Sequence, residues 1–173
     1  MRGKSLIVLA GLLAMAPASF GDEVQLDGQE IAFLRQRASD DIFVWRLSEY
    51  AANHAATDAV KQLATDIVKE RRTDLRDIDQ LAKDHKADVV QPKDMTLQQK
   101  NKFDALTQQS GVIFDRGYTK TLSQDYGVAV PQLDREKDHA GHDAVRDYAR
   151  KNLEMFKDHQ KQAEDAEKVA FGS

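Results

Sequence analysis

Polar side chains interrupt the apolar stripes of the helices that this sequence predicts, and they could do chemistry there. Each lies three, four or seven positions from apolar residues, which is the spacing of one helix face. They are Arg71, Asp125, Asn152 and His159, with Glu70 and Tyr126 directly beside two of them. Facing carboxylates and histidines are the ligands of metal sites inside helical bundles. Glu70, Asp125 and His159 are therefore a candidate site for a transition metal.

The same residues have an explanation that needs no metal. A buried charge must be paired, so Arg71 is expected to pair with Asp125 or Glu70. His159 is expected to be satisfied by an Asp or a Tyr. Ferritin-like dinuclear sites use two Glu-x-x-His motifs, and the chain does not carry two. We therefore expect no cofactor and no catalytic residue, and we keep the metal site as the alternative.

Other chemical motifs give little support to an enzyme. His139 and His142 share the loop before the last predicted helix, and an i, i+3 pair could clip a metal ion. Without a third ligand nearby, the pair fits a solvated turn better. The chain has no G-x-S-x-G nucleophile motif, no glycine-rich phosphate loop and no cysteine. Hydrolase, nucleotide-binding and thiolate-metal functions are therefore unsupported.

The elements that must position these residues are helices. Apolar residues recur with a helical period over four long segments and one short segment, and no alternating strand pattern competes with them. The predicted helices cover about 29–54, 57–86, 97–108, 112–136 and 142–170. The candidate residues lie within these long helices.

Local signals mark the ends of these helices and their connections. Thr57 is a good N-cap, and Thr96 followed by Gln99 is a capping-box signature. Gly127 and Pro131 predict a kink or an irregular turn in the third long helix. The predicted fold is all-α: a ferritin-like four-helix bundle, in which two helical hairpins are joined by a long connection that contains a short helix.

The first residues have the pattern of a secretory signal peptide. Arg2 and Lys4 form a basic start, and residues 5–16 are apolar. Ala16 and Ala18 supply the small residues of a cleavage site. The apolar segment is too short to span a bilayer, which needs about 20 residues. The prediction is therefore a cleaved leader and not a membrane anchor.

Cleavage is expected after Ala18 or Gly21, so that the signal peptide is 1–21 and residues 22–173 form a single helical domain. The product is expected in the periplasm or secreted, with outer-membrane association as a further option and no integral membrane segment after cleavage. The formal net charge is −4, and removal of the basic leader makes it more negative. No clustered basic face for nucleic acid is evident, so nucleic acid is not an expected partner.

The segment FDRGYTKTLSQDY, from Phe114 to Tyr126, resembles the FDRxY-containing third helix of a bacterial family, domain of unknown function 4142 (DUF4142). The wider resemblance runs from about Phe33 to Ala166. It includes the short Ala-rich turn before AVKQLATDIV, the capped short helix and the late His159. The family consists of exported ferritin-like bundles that are often labelled outer membrane proteins, and the resemblance implies the same fold and compartment.

The resemblance also implies where this chain departs from its relatives. The family pattern has an Asp-His pair in the second helix, another in the third, and a Glu in the first. The corresponding positions here are Glu70-Arg71, Asp125-Tyr126, and Val44 or Arg46. If these polar positions form a site in the relatives, only Glu70, Asp125 and His159 of that site are present in this chain. The departures at each His weaken the case for metal chemistry.

The sequence therefore predicts an exported, non-enzymatic helical bundle with a structural, binding or envelope-stress role. The alternative is a ferritin-like metal-binding protein with a degenerate carboxylate and histidine site in its core. Its partner would be an envelope protein or a second copy of the chain. An exposed apolar stripe around Val89, Val90 and Met95 is a candidate surface for that contact.

Overall fold

The computed structural model describes residues 25–89 and 92–171. These residues form five α-helices and no strand, which confirms the predicted all-α class. The helices are α1 (Gly28–His54), α2 (Asp58–Asp84), α3 (Leu97–Thr107), α4 (Gly111–His139) and α5 (Asp143–Phe171). The predicted leader, residues 1–21, lies outside the described residues.

Side chains at the starts of three helices bind the backbone N–H groups that the first turn leaves without partners. Thr57 caps α2, and Thr96 and Gln99 form a reciprocal capping box at the start of α3. These caps confirm the sequence-based predictions. A third cap, the reciprocal box of Asp27 and Glu30, fixes the start of α1. Local hydrogen bonding therefore sets where these helices begin.

The four long helices pack in neighbouring pairs. Helices α1 and α2 form one antiparallel hairpin, and α4 and α5 form another. Helix α2 also contacts α5, and α1 contacts α4, so the two hairpins enclose a shared interior. Among the helices of the described ranges, none is long and apolar enough to cross a membrane.

The connection between the two hairpins runs back along α1. Gln99 Nε2 donates to the Ser39 carbonyl oxygen at 3.2 Å, and the Tyr50 hydroxyl donates to the Thr107 carbonyl oxygen at 3.1 Å. Because Ser39 precedes Tyr50 on α1, the chain travels toward the α1–α2 turn as it passes through α3. Helix α4 therefore begins beside that turn and runs antiparallel to α1.

This return path corrects one prediction about the surface. Val89 is buried, at 8% exposure, and Met95 is half-buried against the apolar interior. The predicted exposed stripe is therefore wrong for both residues, because the connection lays its apolar side chains on the helical domain. Val90, the third residue of that stripe, lies outside the described residues.

Helix α4 continues through Pro131, so the irregular turn that was one of the two predicted outcomes does not form, and the kink stays a prediction. Proline lacks the N–H that would bind the carbonyl four residues earlier, which belongs to Gly127. Both Gly127 and Pro131 are exposed, so water can hydrate this carbonyl. The loss of one solvent-facing hydrogen bond does not end a helix whose other face is buried.

The aspartate of the FDRGY segment ties the start of α4 to the α1–α2 turn. Asp115 is fully buried and accepts from the backbone N–H groups of Ala56 and Thr57, each at 2.9 Å. It also accepts from the Thr57 hydroxyl at 2.8 Å. A single carboxylate thus satisfies three donors of a turn that is distant in sequence.

Two further residues of this segment also make contacts between helices. A Cβ added to Gly117 would lie 2.7 Å from Leu106 Cδ2, so glycine lets the Leu106 side chain of α3 pack directly against the α4 backbone. The Tyr118 hydroxyl forms a 2.8 Å hydrogen bond with the Ser48 hydroxyl in the interior. The segment that carries the family resemblance therefore holds helices together.

We predict that Asp115→Asn destabilises the protein by about 2 kcal/mol, because the amide nitrogen would face N–H donors in a buried position. Urea unfolding followed by circular dichroism measures the loss. Asp134→Asn, at an exposed site on the same helix, is the control and should change stability little. Equal stability of Asp115→Asn and the wild type would contradict this role for Asp115.

Candidate functional site

Four charged side chains meet between α1 and α2 in the interior. We call Arg37, Asp41, Arg71 and Asp74 the interior ion network. Asp41 Oδ1 accepts from Arg71 Nη1 at 2.8 Å and from Arg37 Nη2 at 3.1 Å. Arg71 Nη1 also lies 3.5 Å from Asp74 Oδ2. All four side chains are at most 1% exposed, so water takes no part in neutralising them.

The two carboxyl groups of the network are in different protonation states. Burial alone raises the pKa of Asp41, but the charges of Arg71 and Arg37 outweigh it and hold that pKa below its ordinary value. Burial raises the pKa of Asp74 well above its ordinary value, and the charge of Asp41 raises it further. Asp74 is therefore protonated and adds no second negative charge beside Asp41.

An aromatic ring completes the surroundings of the two guanidinium groups. The Arg71 Cζ atom lies 3.9 Å from the centroid of the Phe156 ring, and the Arg37 Cζ atom lies 4.9 Å from it. Arg71 Nε and Nη2 form no hydrogen bond. The negative face of the ring attracts both cations and partly compensates for these unmade bonds. Phe156 thereby joins α5 to the network.

A second polar group links α2, α4 and α5. The Tyr126 hydroxyl lies 3.3 Å from His159 Nδ1, and His159 Nε2 lies 2.8 Å from Glu70 Oε2. Burial raises the pKa of Tyr126, so its hydroxyl keeps a proton to donate to Nδ1. The other ring nitrogen, Nε2, faces Glu70. Because Glu70 is 35% exposed, this chain of contacts connects the interior to solvent.

The structure brings together two of the three predicted metal ligands. Glu70 and His159 are in contact, whereas no group of three or more His, Asp or Glu side chains in the described ranges is arranged to hold a metal ion. Asp125 is half-buried on α4, near the charges of Arg37 and Asp41. Metal binding by these residues stays a prediction.

Two pairing predictions have different outcomes. Arg71 forms its ion pair with Asp41 and lies 3.5 Å from the Asp74 carboxyl group, so the predicted pairing with Asp125 or Glu70 is wrong. The expectation that His159 is satisfied by a tyrosine is confirmed through Tyr126.

Two further predicted polar residues are also placed. Asn152 is buried and donates to the Tyr148 carbonyl oxygen at 3.0 Å within its own helix. His142 packs edge-on against His85, with ring centroids 4.2 Å apart, instead of pairing with His139. Neither residue extends the interior ion network.

Sequence reasoning missed Arg37, Asp41 and Asp74. Ile31 and Trp45 lie on an apolar stripe of α1 at helical spacing, but both are only half-buried. The buried face is turned toward the stripe that contains Arg37 and Asp41. The signal that could have found them is an Arg-Asp pair at i, i+4 in α1 and another at i, i+3 in α2.

The fold and the site together define an all-α protein with a buried ionic interior in which two guanidinium groups share one ionised carboxylate. This chain belongs to the family described as domain of unknown function (DUF4142), whose model matches residues 15–166. The match confirms the resemblance seen in the FDRGY segment. No curated protein and no solved structure matches the chain.

We predict that Asp125 makes stability fall as pH rises. Burial raises the pKa of Asp125 from its ordinary value of 3.8 to about 7, so the folded protein binds a proton that the unfolded chain has released. This contribution is complete below pH 4 and is lost as pH approaches 7. Asp125→Asn cannot ionise and should be more stable than the wild type at pH 8 by about 1–2 kcal/mol, less than the full shift because the group keeps some contact with water.

Urea unfolding at pH 4, 6 and 8 measures this difference. The exposed Asp158→Asn on α5 is the control, and its pH profile should follow that of the wild type. A lower stability of Asp125→Asn at pH 8 would instead mean that the pKa of Asp125 is not raised and that its charge stabilises the arginines.

Proposed function

We propose that this chain is an exported, non-enzymatic protein with a ferritin-like four-helix bundle fold, and that it has a structural or binding role in the cell envelope. The placement of the Arg71 guanidinium in the interior is the observation that carries this proposal. It occupies the region between helices where carboxylates converge, and Asp41 neutralises it at 2.8 Å.

The interior ion network does not fit a metal ion. A divalent cation needs anionic or neutral donors with free lone pairs. Here two guanidinium groups already use the ionised carboxylate, and a metal ion beside them would be repelled. Burial also works against an enzyme, because the network side chains are at most 1% exposed and a substrate cannot reach them without opening the helices.

The alternative metal site lies outside this network. His159 and Glu70 contact each other, and Tyr126 already engages the other ring nitrogen of His159. A metal ion would have to displace one of these contacts and bring in Asp125, which does not form a group of metal ligands with them. These requirements favour the role without a metal.

Metal content distinguishes the two functions. We expect the protein, produced without a histidine tag, incubated with zinc, iron or manganese salts and desalted, to retain well below one ion per chain by mass spectrometry. His159→Ala should retain the same amount as the wild type. A stoichiometric ion that is lost in His159→Ala would establish the metal-binding alternative and overturn this proposal.

Export is a separate prediction. The basic, apolar and small-residue pattern of residues 1–21 supports it. Expression of the full chain in a Gram-negative host should give a periplasmic product whose N-terminus, read by Edman sequencing, follows Ala18 or Gly21. A variant with Leu9→Arg and Leu12→Arg should retain its leader in the cytoplasm. An uncleaved product in the periplasm or the membrane would contradict the prediction.

A further inference from the structure

A second set of aromatic and cationic side chains lies on the opposite side of the α1–α2 hairpin from the ion network. We define the outer groove by its lining residues: Trp45, Glu49 and Ala52 of α1, and Val68, Lys69, Arg72, Leu75 and Arg76 of α2. Two adjoining depressions, of about 710 and 450 Å³, share Lys69 and form it. The groove extends about 12 Å along α2, from Val68 to Arg76.

The floor of the groove is partly apolar and its rim is cationic. Trp45 and Leu75 are half-buried, and the rim side chains of Lys69 and Arg72 are 72% and 55% exposed. Arg76 lines the same rim. The whole chain carries a formal charge of −4, so this concentration of cations is a local departure. A ligand with both acidic and apolar groups would complement it.

The groove already holds one carboxylate of the chain itself. Glu49 Oε1 accepts from Arg72 at 2.5 Å, and Glu49 Oε2 accepts from Arg46 at 3.2 Å. The Arg46 and Arg72 Cζ atoms also lie 4.2 and 5.1 Å from the Trp45 ring centroid. The two guanidinium groups are thus held over an aromatic floor in positions that bind a carboxylate. Glu49 shows which chemical group this arrangement recognises.

We propose that the outer groove binds an acidic peptide segment with apolar anchor residues, presented by a partner protein in the envelope. Tryptophan and arginine are the residues that most often dominate the energy of protein–protein contacts. The groove is open along its length, as suits a chain segment, whereas small-molecule sites enclose most of their ligand. This inference rests on the proposed binding role and gives that role a site.

Trp45 is the only tryptophan of the chain, so its fluorescence reports on this groove alone. The probe is a tryptophan-free peptide of about 16 residues with Leu and Glu on one helical face, long enough to form a helix. We expect a saturable change in Trp45 emission that weakens in high salt. The same peptide with Lys in place of Glu should have no effect.

Two substitutions with opposite expected effects on affinity distinguish a lost contact from a folding defect. Arg72→Gln should weaken binding about fivefold, the upper range for one exposed ion pair. Glu49→Gln should tighten binding, because it frees Arg46 and Arg72, and a damaged fold would not raise affinity. Arg150→Gln, which removes an arginine of similar exposure from α5, is the matched control and should leave binding unchanged.

Equal responses to the acidic and basic peptides, or unchanged affinity in Glu49→Gln, would overturn the proposal. A change in Trp45 emission with phosphatidylglycerol vesicles but not with the acidic peptide would also overturn it, in favour of a lipid surface. These outcomes are distinct from a failure of the proposed function, which the metal content of the protein decides separately.

Discussion

Burial of two guanidinium groups is the constraint on which the rest of this structure depends. A buried ion without a partner costs several kcal/mol, so Arg37 and Arg71 must find negative charge inside the protein. Asp41 supplies this negative charge to both arginines. Asp74 is protonated and adds no second negative charge. The ring of Phe156 faces both cations. Three helices are therefore held in register by one ionised carboxylate and one aromatic ring.

This solution also decides what kind of interior the protein has. Polar side chains in the core of a helical domain can create a reactive site or can satisfy one another. The interior ion network follows the second course, since its two cations share one ionised carboxylate and are shielded from water. The contacts of His159 with Tyr126 and Glu70 extend the same principle to α4 and α5. An interior of this kind contributes specificity of packing and leaves the surface as the place where a ligand can bind.

The α1–α2 hairpin contributes residues both to the interior ion network and to the outer groove. Arg71 and Arg72 are neighbours in sequence, and one helical step of about 100° separates their directions. Arg71 lies in the interior beside Asp41, whereas Arg72 lies on the outer groove beside Glu49 and Trp45. The same residue type thus balances a buried carboxylate on one face and presents an anion-binding group on the other. The packing of α5 against α2 determines which face of α2 is buried and which face lines the outer groove.

The sequence by itself determined the features that depend on neighbours within a few positions. The five helices and the caps at Thr57 and Thr96 were predicted because helix period and capping are local interactions. The membership in the DUF4142 family was also readable from one segment of α4. Only the tertiary structure decided that Arg71 pairs with Asp41, thirty positions away, and that Trp45 faces outward. A shift of one residue in the phase of a helical stripe moves a side chain by about 100°. The choice of buried face depends on how all the helices pack together, and the apolar spacing along a single helix does not determine it.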